Sequence, residues 1–225
     1  MKHDSFNESA EMYLKTVSEL AESGAPVPIS ALADRLGVSP VSATEMVHRL
    51  QGNGLVAHRP YKGILLTDDG HRQAADVIRH HRLWECFLVD HLGLPWHEVH
   101  DFACRLEHAS DAQVTDALDS FLGHPATCPH GNPIPSADGR SGEVAHHSLA
   151  ELHPGDKAVI VNIHPETSEL LSYLYDLGLT PGSRIAILDV VPFGGPIVLN
   201  VEGEQRYLGQ EAAAFVFIHK IEEIE

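Results

Sequence analysis

The feature that most narrows the fold of this 225-residue chain is the run Ile29-Ser-Ala-Leu-Ala-Asp-Arg-Leu36-Gly37-Val38-Ser39-Pro40. In it one short amphipathic helix must stop and another must start within three residues. Gly37 ends the first helix, Ser39 caps the second, and Pro40 suits a first turn that has no use for its amide. The second helix is predicted to run through Met46, Val47 and Leu50 to Gly54. Two helices joined this tightly form a helix-turn-helix. Ahead of them Phe6, Ala10, Tyr13, Leu14, Val17 and Leu20 mark the apolar stripe of another helix, closed by Ser23-Gly24-Ala25-Pro26. Behind them Leu55–Arg59 and Ile64–Thr67 read as strands around Pro60-Tyr61-Lys62-Gly63. A hairpin directly after a helix-turn-helix is a wing. A winged helix of this kind places its third helix in the major groove, with Ser39, Ser42, Thr44 and Glu45 toward base edges. Arg35, His48, Arg49, Arg59 and Lys62 are then the phosphate partners. Hydroxyls and a carboxylate read bases less decisively than Arg or Asn, so a winged helix used for protein contact is the alternative.

Charge supports restricting nucleic-acid contact to this segment. The formal charge is −17, which argues against coating nucleic acid by bulk electrostatics. Residues 1–75 hold 7 Lys/Arg against 9 Asp/Glu, residues 76–150 hold 4 against 11, and residues 151–225 hold 4 against 12. Only the first third is near neutrality and able to present a local basic surface. Three cysteines, Cys86, Cys104 and Cys128, are too few for a disulfide framework and are expected to serve as thiols. The chain opens Met-Lys-His-Asp with no apolar run behind it and nowhere has the roughly 18 uninterrupted apolar residues of a membrane span. This predicts a soluble, cytoplasmic protein without membrane contact.

A long helix is predicted from Thr67 to Gly93, a second from Pro95 to about Ser110, and a third from Asp111 to Leu122 with Val114, Leu118 and Phe121 at core spacing. These have no obvious partner with which to close a separate core, so they are expected to pack against a second copy of the chain. Gly131–Gly142 reads as a linker by composition. Beyond it Lys157–Ile163, Arg184–Val190, Pro196–Val201, Gln205–Leu208 and Phe215–Ile218 are short strands, with one helix at Ser168–Leu177, the pattern of a small barrel. The fold class is therefore α+β. The expected domains are a winged helix at 1–72, a helical segment at 73–140, a linker at 141–150 and a small β-domain at 151–225.

The chemistry lies in the helical segment, where nine of the 17 histidines fall between His71 and His130. His100, Cys104, Glu107 and His108 stand at offsets 0, +4, +7 and +8, so one helix would present two imidazoles, a thiol and a carboxylate on one face. His81 and Glu85, four apart, occupy an apolar stripe with Ile78, Leu88 and Leu92. Polar groups there cost about 1 to 3 kcal/mol each without partners, which a cation shared with His100 would supply. A plain His–Glu hydrogen bond between packed helices is the alternative. Met12 falls off its helix's apolar stripe, among Glu8, Lys15 and Glu19. It is either a tolerated surface residue or a thioether able to complete a site with Cys104, Glu107 and His108. Such mixed donors suit a divalent first-row ion of intermediate softness: iron(II) fits well, cobalt(II) and nickel(II) would be mimics, manganese(II) would prefer more oxygen, and zinc(II) stays open.

Ser9-Ala-Glu-Met12-Tyr-Leu-Lys15, His81-Arg-Leu-Trp-Glu85, Val99-His100-Asp-Phe-Ala-Cys104-Arg-Leu-Glu107-His108 and Cys128-Pro-His-Gly-Asn-Pro-Ile-Pro135 resemble the diphtheria toxin repressor family of metal-dependent regulators. Leu152-His-Pro-Gly-Asp156 and Leu177-Gly-Leu-Thr-Pro-Gly-Ser183 resemble the SH3-like, FeoA-type module found at the end of such chains. The resemblance covers the whole chain. It implies a winged helix, an all-α dimerisation domain and a C-terminal SH3-like barrel, with two metal sites per subunit. By it the primary, activating site is Met12, Cys104, Glu107 and His108, and the ancillary site is His81, Glu85 and His100. Glu166 and Glu169 from the SH3-like domain, and Cys128 with His130, are further ancillary candidates. The Met12 and Cys104 pair resembles the iron branch of the family, while Cys128-Pro-His130 resembles the manganese branch, so the implied ion is Fe2+ or Mn2+. The function implied is a homodimeric repressor of iron or manganese homeostasis genes that grips operator DNA only when loaded with metal. A metal-independent winged-helix regulator and a metal-dependent hydrolase built on the residues around His100 are the rivals.

Overall fold

The computed structural model describes residues 5–21, 24–59, 62–140, 142 and 147–221. The side chain of Phe6, Ser23 of the expected helix closure, Pro60 and Tyr61 of the expected hairpin turn, and residues 141 and 143–146 of the expected linker lie outside the described residues. The chain groups into two compact units. The first is Met1–His81 with Glu107–Asp111 and Pro135–Ser141; the second is Arg82–Leu106, Ala112–Ile134 and Gly142–Glu225.

In the first unit α1 (Ser5–Leu20), α2 (Ile29–Leu36) and α3 (Pro40–Gly52) precede a hairpin of β1 (Val56–Arg59) and β2 (Gly63–Leu66). Gly37 takes a left-handed conformation (φ 65°) and its amide bonds back to Ala33 and Asp34, while the Ser39 side chain accepts from the Ser42 amide. The helix-turn-helix is thus closed by the residues that signalled it. Leu14, Leu32, Leu50 and Ile64 are fully buried in one core with Val17, Ala43 and Val47. Truncating any of these leucines to alanine would cost about 2 to 5 kcal/mol. Val27 adds a one-residue third strand to the wing by exchanging two 2.9 Å hydrogen bonds with Ile64. The sequence pattern gave no sign of it, because a single bridge carries no periodicity. α4 (Asp68–Asp90) then begins, and its histidines 80 and 81 close the first unit's share of that helix.

In the second unit the rest of α4 is followed by α5 (Val99–Leu106) and α6 (Ala112–Phe121). Two expectations need correction. Pro95 does not open α5: Pro95–Glu98 form a turn, with Glu98 N bonded to Pro95 O, and the helix starts at Val99. Nor does α5 reach Ser110, because Glu107–Ala109 wind as a 3-10 turn belonging to the first unit. On α6, Leu118 is buried, but Val114 and Phe121 are 46% and 62% exposed, so two of the three residues of the expected core stripe lie outside the core. The β-part is a six-stranded antiparallel sheet in the order β3-β8-β4-β5-β6-β7. Its strands are β3 (His147–Ser148), β4 (Lys157–Ile163), β5 (Arg184–Val190), β6 (Ile197–Val201), β7 (Glu204–Leu208) and β8 (Val216–Lys220), with α7 (Ser168–Asp176) and α8 (Gln210–Ala213) inserted. Register shifts at Ile160/Asn162 and Ile187/Asp189 bend the long strands, the usual device for curving a small sheet. Leu149, Ile160, Ile163, Leu171, Leu174, Leu179 and Ile187 fill its core.

The expected linker at Gly131–Gly142 is docked at its start. Gly131 (φ 82°) lies so close to β4 that a Cβ would stand 1.9 Å from the Val161 carbonyl oxygen. Ile163 N donates to His130 O (3.0 Å), and the buried Asn132 amide donates to Ile163 O (2.8 Å) while its oxygen accepts from Asn162 (3.0 Å). Composition reports turn residues, and these turn residues happen to be pinned by side-chain amides.

Candidate metal centres and nucleic-acid interface

The second unit assembles Glu85, Cys128, His130 and Glu166, whose ligand atoms all lie within 4.8 Å of one another. All four are buried. α4 supplies Glu85, the docked loop supplies Cys128 and His130, and the segment leading from β4 into α7 supplies Glu166. His130 Nδ1 stands 3.2 Å from Glu85 Oε1 and 4.0 Å from Glu166 Oε1, and Cys128 Sγ is 3.8 Å from Glu166 Oε1. His130 Nε2 faces the Trp96 carbonyl at 2.7 Å. An N–H there donates to that oxygen, leaving Nδ1 as the nitrogen aimed at the two carboxylates, the usual way an outer partner orients a ligand imidazole. Asn132 donates to Glu166 Oε1 and holds that carboxylate in turn. His100 Nδ1 borders the group, 3.5 Å from Glu85 Oε1 and 3.6 Å from Glu166 Oε2, and on the adjacent turn Cys104 Sγ lies 3.6 Å from His100 Nε2. Glu169 is exposed on α7, apart from these four.

Burial and then the Glu85 and Glu166 charges push the Cys128 thiol up to about 12. Burial pulls His130 down, but the Glu85 charge outweighs it and holds the imidazole well above its ordinary value. Two carboxylates sealed from water thus retain protons on both neighbours. A divalent cation replaces those protons and neutralises the carboxylates, so one thiolate, one imidazole and two carboxylates form a donor set that fits such an ion.

The first unit holds a different arrangement around Glu107 and His108. Glu107 is buried; its Oε2 accepts from Lys15 Nζ (2.8 Å) and meets His81 Nδ1 at 2.6 Å. Burial raises this carboxyl, but the His81 hydrogen bond and the Lys15 charge outweigh it and hold it below the usual carboxylate range. Its other oxygen, Oε1, stands 3.3 Å from His108 Nε2. His108 Nδ1 is bonded to Glu11 at 2.7 Å. Burial lowers His108, but the Glu11 hydrogen bond and the Glu107 charge raise it above its ordinary value. Carboxylate oxygen and imidazole nitrogen therefore converge with their backs held, the geometry of a chelating pair. Met12 lies on the same helix as Glu11 and Lys15 and is 44% exposed, while Cys104 belongs to the second unit. The sequence places Lys15 on a charged face with Met12, yet Lys15 is buried against Glu107, and nothing but its i, i+4 spacing from Lys15 marks Glu11 as a partner of this pair. His81, expected beside Glu85, turns Nδ1 to Glu107 at 2.6 Å.

On the winged helix Arg35, Ser39, Ser42, Glu45, His48, Arg49, Arg59 and Lys62 are exposed and Thr44 is half-buried. Arg35 reaches Glu19 at 4.0 Å. Ser39 and Ser42 bond each other at 2.9 Å as part of the helix cap, and Thr44 donates to Pro40 O at 2.7 Å. The hydroxyls are thus engaged locally, and the His48 and His58 rings, 5.8 Å apart, join α3 to the wing.

A winged helix, a carboxylate–imidazole pair anchored to its first helix, a sealed cluster of metal-ligand type and a small β-domain together define a metal-responsive DNA-binding regulator. The chain matches three family descriptions in succession: "Iron dependent repressor, N-terminal DNA binding domain" over residues 5–64, "Iron dependent repressor, metal binding and dimerisation domain" over 67–136, and "FeoA domain" over 147–220. It is 33% identical to the iron-dependent repressor IdeR of Mycobacterium leprae, covering 95% of this chain and 98% of that protein. It is 32% identical to the diphtheria toxin repressor of Corynebacterium glutamicum, covering 96% and 97%. Among solved structures, a manganese-dependent transcriptional repressor in complex with manganese superposes with a TM-score of 0.87 at 36% identity, over 94% of this chain and 100% of that one. The chain belongs to the diphtheria toxin repressor family, and as such is a metal-dependent transcriptional regulator with a winged-helix DNA-binding domain, a helical dimerisation domain and a FeoA-type, SH3-like domain. That family is one of repressors rather than enzymes, which displaces the hydrolase reading. Among the described residues no helix is long and apolar enough to cross a membrane.

Proposed function

We propose that this protein is a cytoplasmic homodimeric repressor whose grip on an inverted-repeat operator is switched on by iron(II) or manganese(II), with cobalt(II), nickel(II) and zinc(II) as mimics. Glu107 and His108, completed by Met12 and Cys104, hold the activating ion. Glu85, Cys128, His130 and Glu166 hold a second, bracing ion, with His100 and His81 as its outer ligands and Glu169 outside it. The observation that carries this reading is the Glu107–His108 pair, whose two backs are bonded to Glu11 and Lys15 of α1. α1 packs through Leu14 and Val17 into the core that seats α3, so occupancy of the pair bears on the DNA-reading helix. A ligand shifts such an equilibrium only by its differential affinity for the two arrangements, commonly about 1 to 3 kcal/mol.

On the DNA side, Glu45 and Thr44 face bases with Ser39 and Ser42 at the helix start, while Arg35, Arg49, Arg59 and Lys62 take phosphates. The exposed Val114, Phe121, Leu92 and Phe102 supply apolar area for the dimer. The test is an anaerobic titration of operator binding with iron(II), manganese(II) and zinc(II). His108→Ala should abolish metal activation with the fold intact by circular dichroism; undiminished activation in that variant would sink the scheme.

A further inference from the structure

Lys15 is the buried charge of α1, where Glu8 is exposed and Glu11 and Glu19 are half-buried, and its ammonium bonds to Glu107 at 2.8 Å. The carboxylate is thereby divided. Oε2 is covered by Lys15 and His81, and Oε1 is left toward His108 Nε2. A metal ion taken by Oε1 and His108 shares one carboxylate with a fixed positive charge. Both Lys15 and Glu107 are out of water, so this repulsion is weakly screened. In the metal-free protein the same ammonium, beside the His81 hydrogen bond, compensates the buried Glu107 charge, which is costly to leave without a partner.

Resting on the reading that Glu107 and His108 hold the activating ion, we propose that Lys15 is a tethered counter-cation that sets the metal threshold of this site. It neutralises Glu107 when no metal is bound, and it weakens the ion that arrives, so the site fills only when free metal is abundant. A lysine that merely braced α1 would do the reverse, since its loss would loosen the ligands and weaken binding. Two neutral variants separate charge from contact. Lys15→Met removes both, whereas Lys15→Gln keeps an N–H donor for Oε2 and removes the charge.

The experiment is a manganese(II) titration of the full-length protein carrying Cys128→Ala, which disables the other cluster, with thermal melts in the absence and presence of manganese(II). Both Lys15 variants should bind manganese(II) about tenfold or more tightly. Their metal-free melting temperature should fall, and manganese(II) should raise it by more than it does with Lys15 present. If Lys15→Met is unfolded without metal, the same shift is read as folding on manganese(II) addition and in the Gln variant. Unchanged or weaker binding in Lys15→Gln overturns the proposal. Glu107→Ala is the control: if it still binds manganese(II) at this site, the assignment of the activating site has failed, whatever the Lys15 variants do.

Discussion

The two clusters use similar donors in opposite settings. In the second unit Glu85, Cys128, His130 and Glu166 are sealed, and the neighbouring groups that hold them, the Trp96 carbonyl and the Asn132 amide, are neutral. In the first unit Glu107 and His108 are held by charged side chains, Lys15 and Glu11, both from one helix of the DNA-binding domain. With neutral supports, the sealed carboxylates are balanced by the proton they retain on His130, which an arriving cation would displace, in keeping with the bracing role proposed for this cluster. Charged supports compensate the other pair beforehand, which weakens binding but ties it to a helix that can respond. The difference teaches that in this chain the role of a metal site is written in what stands behind its ligands.

The comparison can be broken most directly at the sealed cluster. Cys128→Ala or His130→Ala should weaken binding there by about 100-fold or more, beyond the usual cost of losing an outer partner, and remove one ion per chain by anaerobic metal analysis. The same variants should lose the stabilisation that metal gives, about 2.7 kcal/mol at a concentration 100 times the dissociation constant, read as the metal-induced rise in melting temperature. An unchanged metal count would show that the cluster is a plain hydrogen-bonded core.

Gly131→Ala probes the same cluster through its backbone. A Cβ 1.9 Å from a carbonyl oxygen, at positive φ, should cost on the order of 2 kcal/mol and displace His130, so urea unfolding and metal affinity should fall together. Loss of stability with normal affinity would separate the loop from the site.

At the other pair Glu11→Gln should weaken metal binding by about tenfold, the lower end for an outer partner, and lower the His108 pKa measured by NMR. In the metal-free protein the sign is fixed by the shifts. The raised His108 contributes stability below the ordinary imidazole pKa, lost as pH rises through its raised value, and the lowered Glu107 contributes above the ordinary carboxylate pKa, lost as pH falls through its lowered value. The Gln variant should flatten the first limb alone.

Proton release is the smallest and sharpest contrast. At a pH below the ordinary imidazole pKa, and with Cys104→Ala so that no thiol proton is lost at the other pair, the sealed cluster must shed the Cys128 and His130 protons, about two per ion, and the other pair about one, from His108. Calorimetry in buffers of different ionisation enthalpy counts them; equal release at the two sites would contradict the assigned protonation states.

Much of this was legible in the sequence where the signal is local. Gly37, Ser39 and Pro40 dictate the helix-turn-helix because capping acts within a few residues. The strands of the β-domain followed from apolar runs between turn residues. What failed was nonlocal. The face drawn through His100, Cys104, Glu107 and His108 assumed one continuous helix, yet the chain tightens into a 3-10 turn after Leu106, where Glu107 is drawn to Lys15 and His81. Gly131–Gly142 read as a linker because composition cannot report that Asn132 finds Ile163 and Asn162.

By itself the sequence determined the elements, the family and the inventory of candidate ligand residues, since periodicity, caps and motif spacing are properties of neighbours along the chain. Only the tertiary structure decided how those ligands are supported: that His130 turns Nδ1 inward because Nε2 meets Trp96, and that Glu107 meets a lysine 92 residues away. Hydrogen bonds and charge compensation act through space at a few ångströms, and no one-dimensional pattern records which buried carboxylate a lysine will reach.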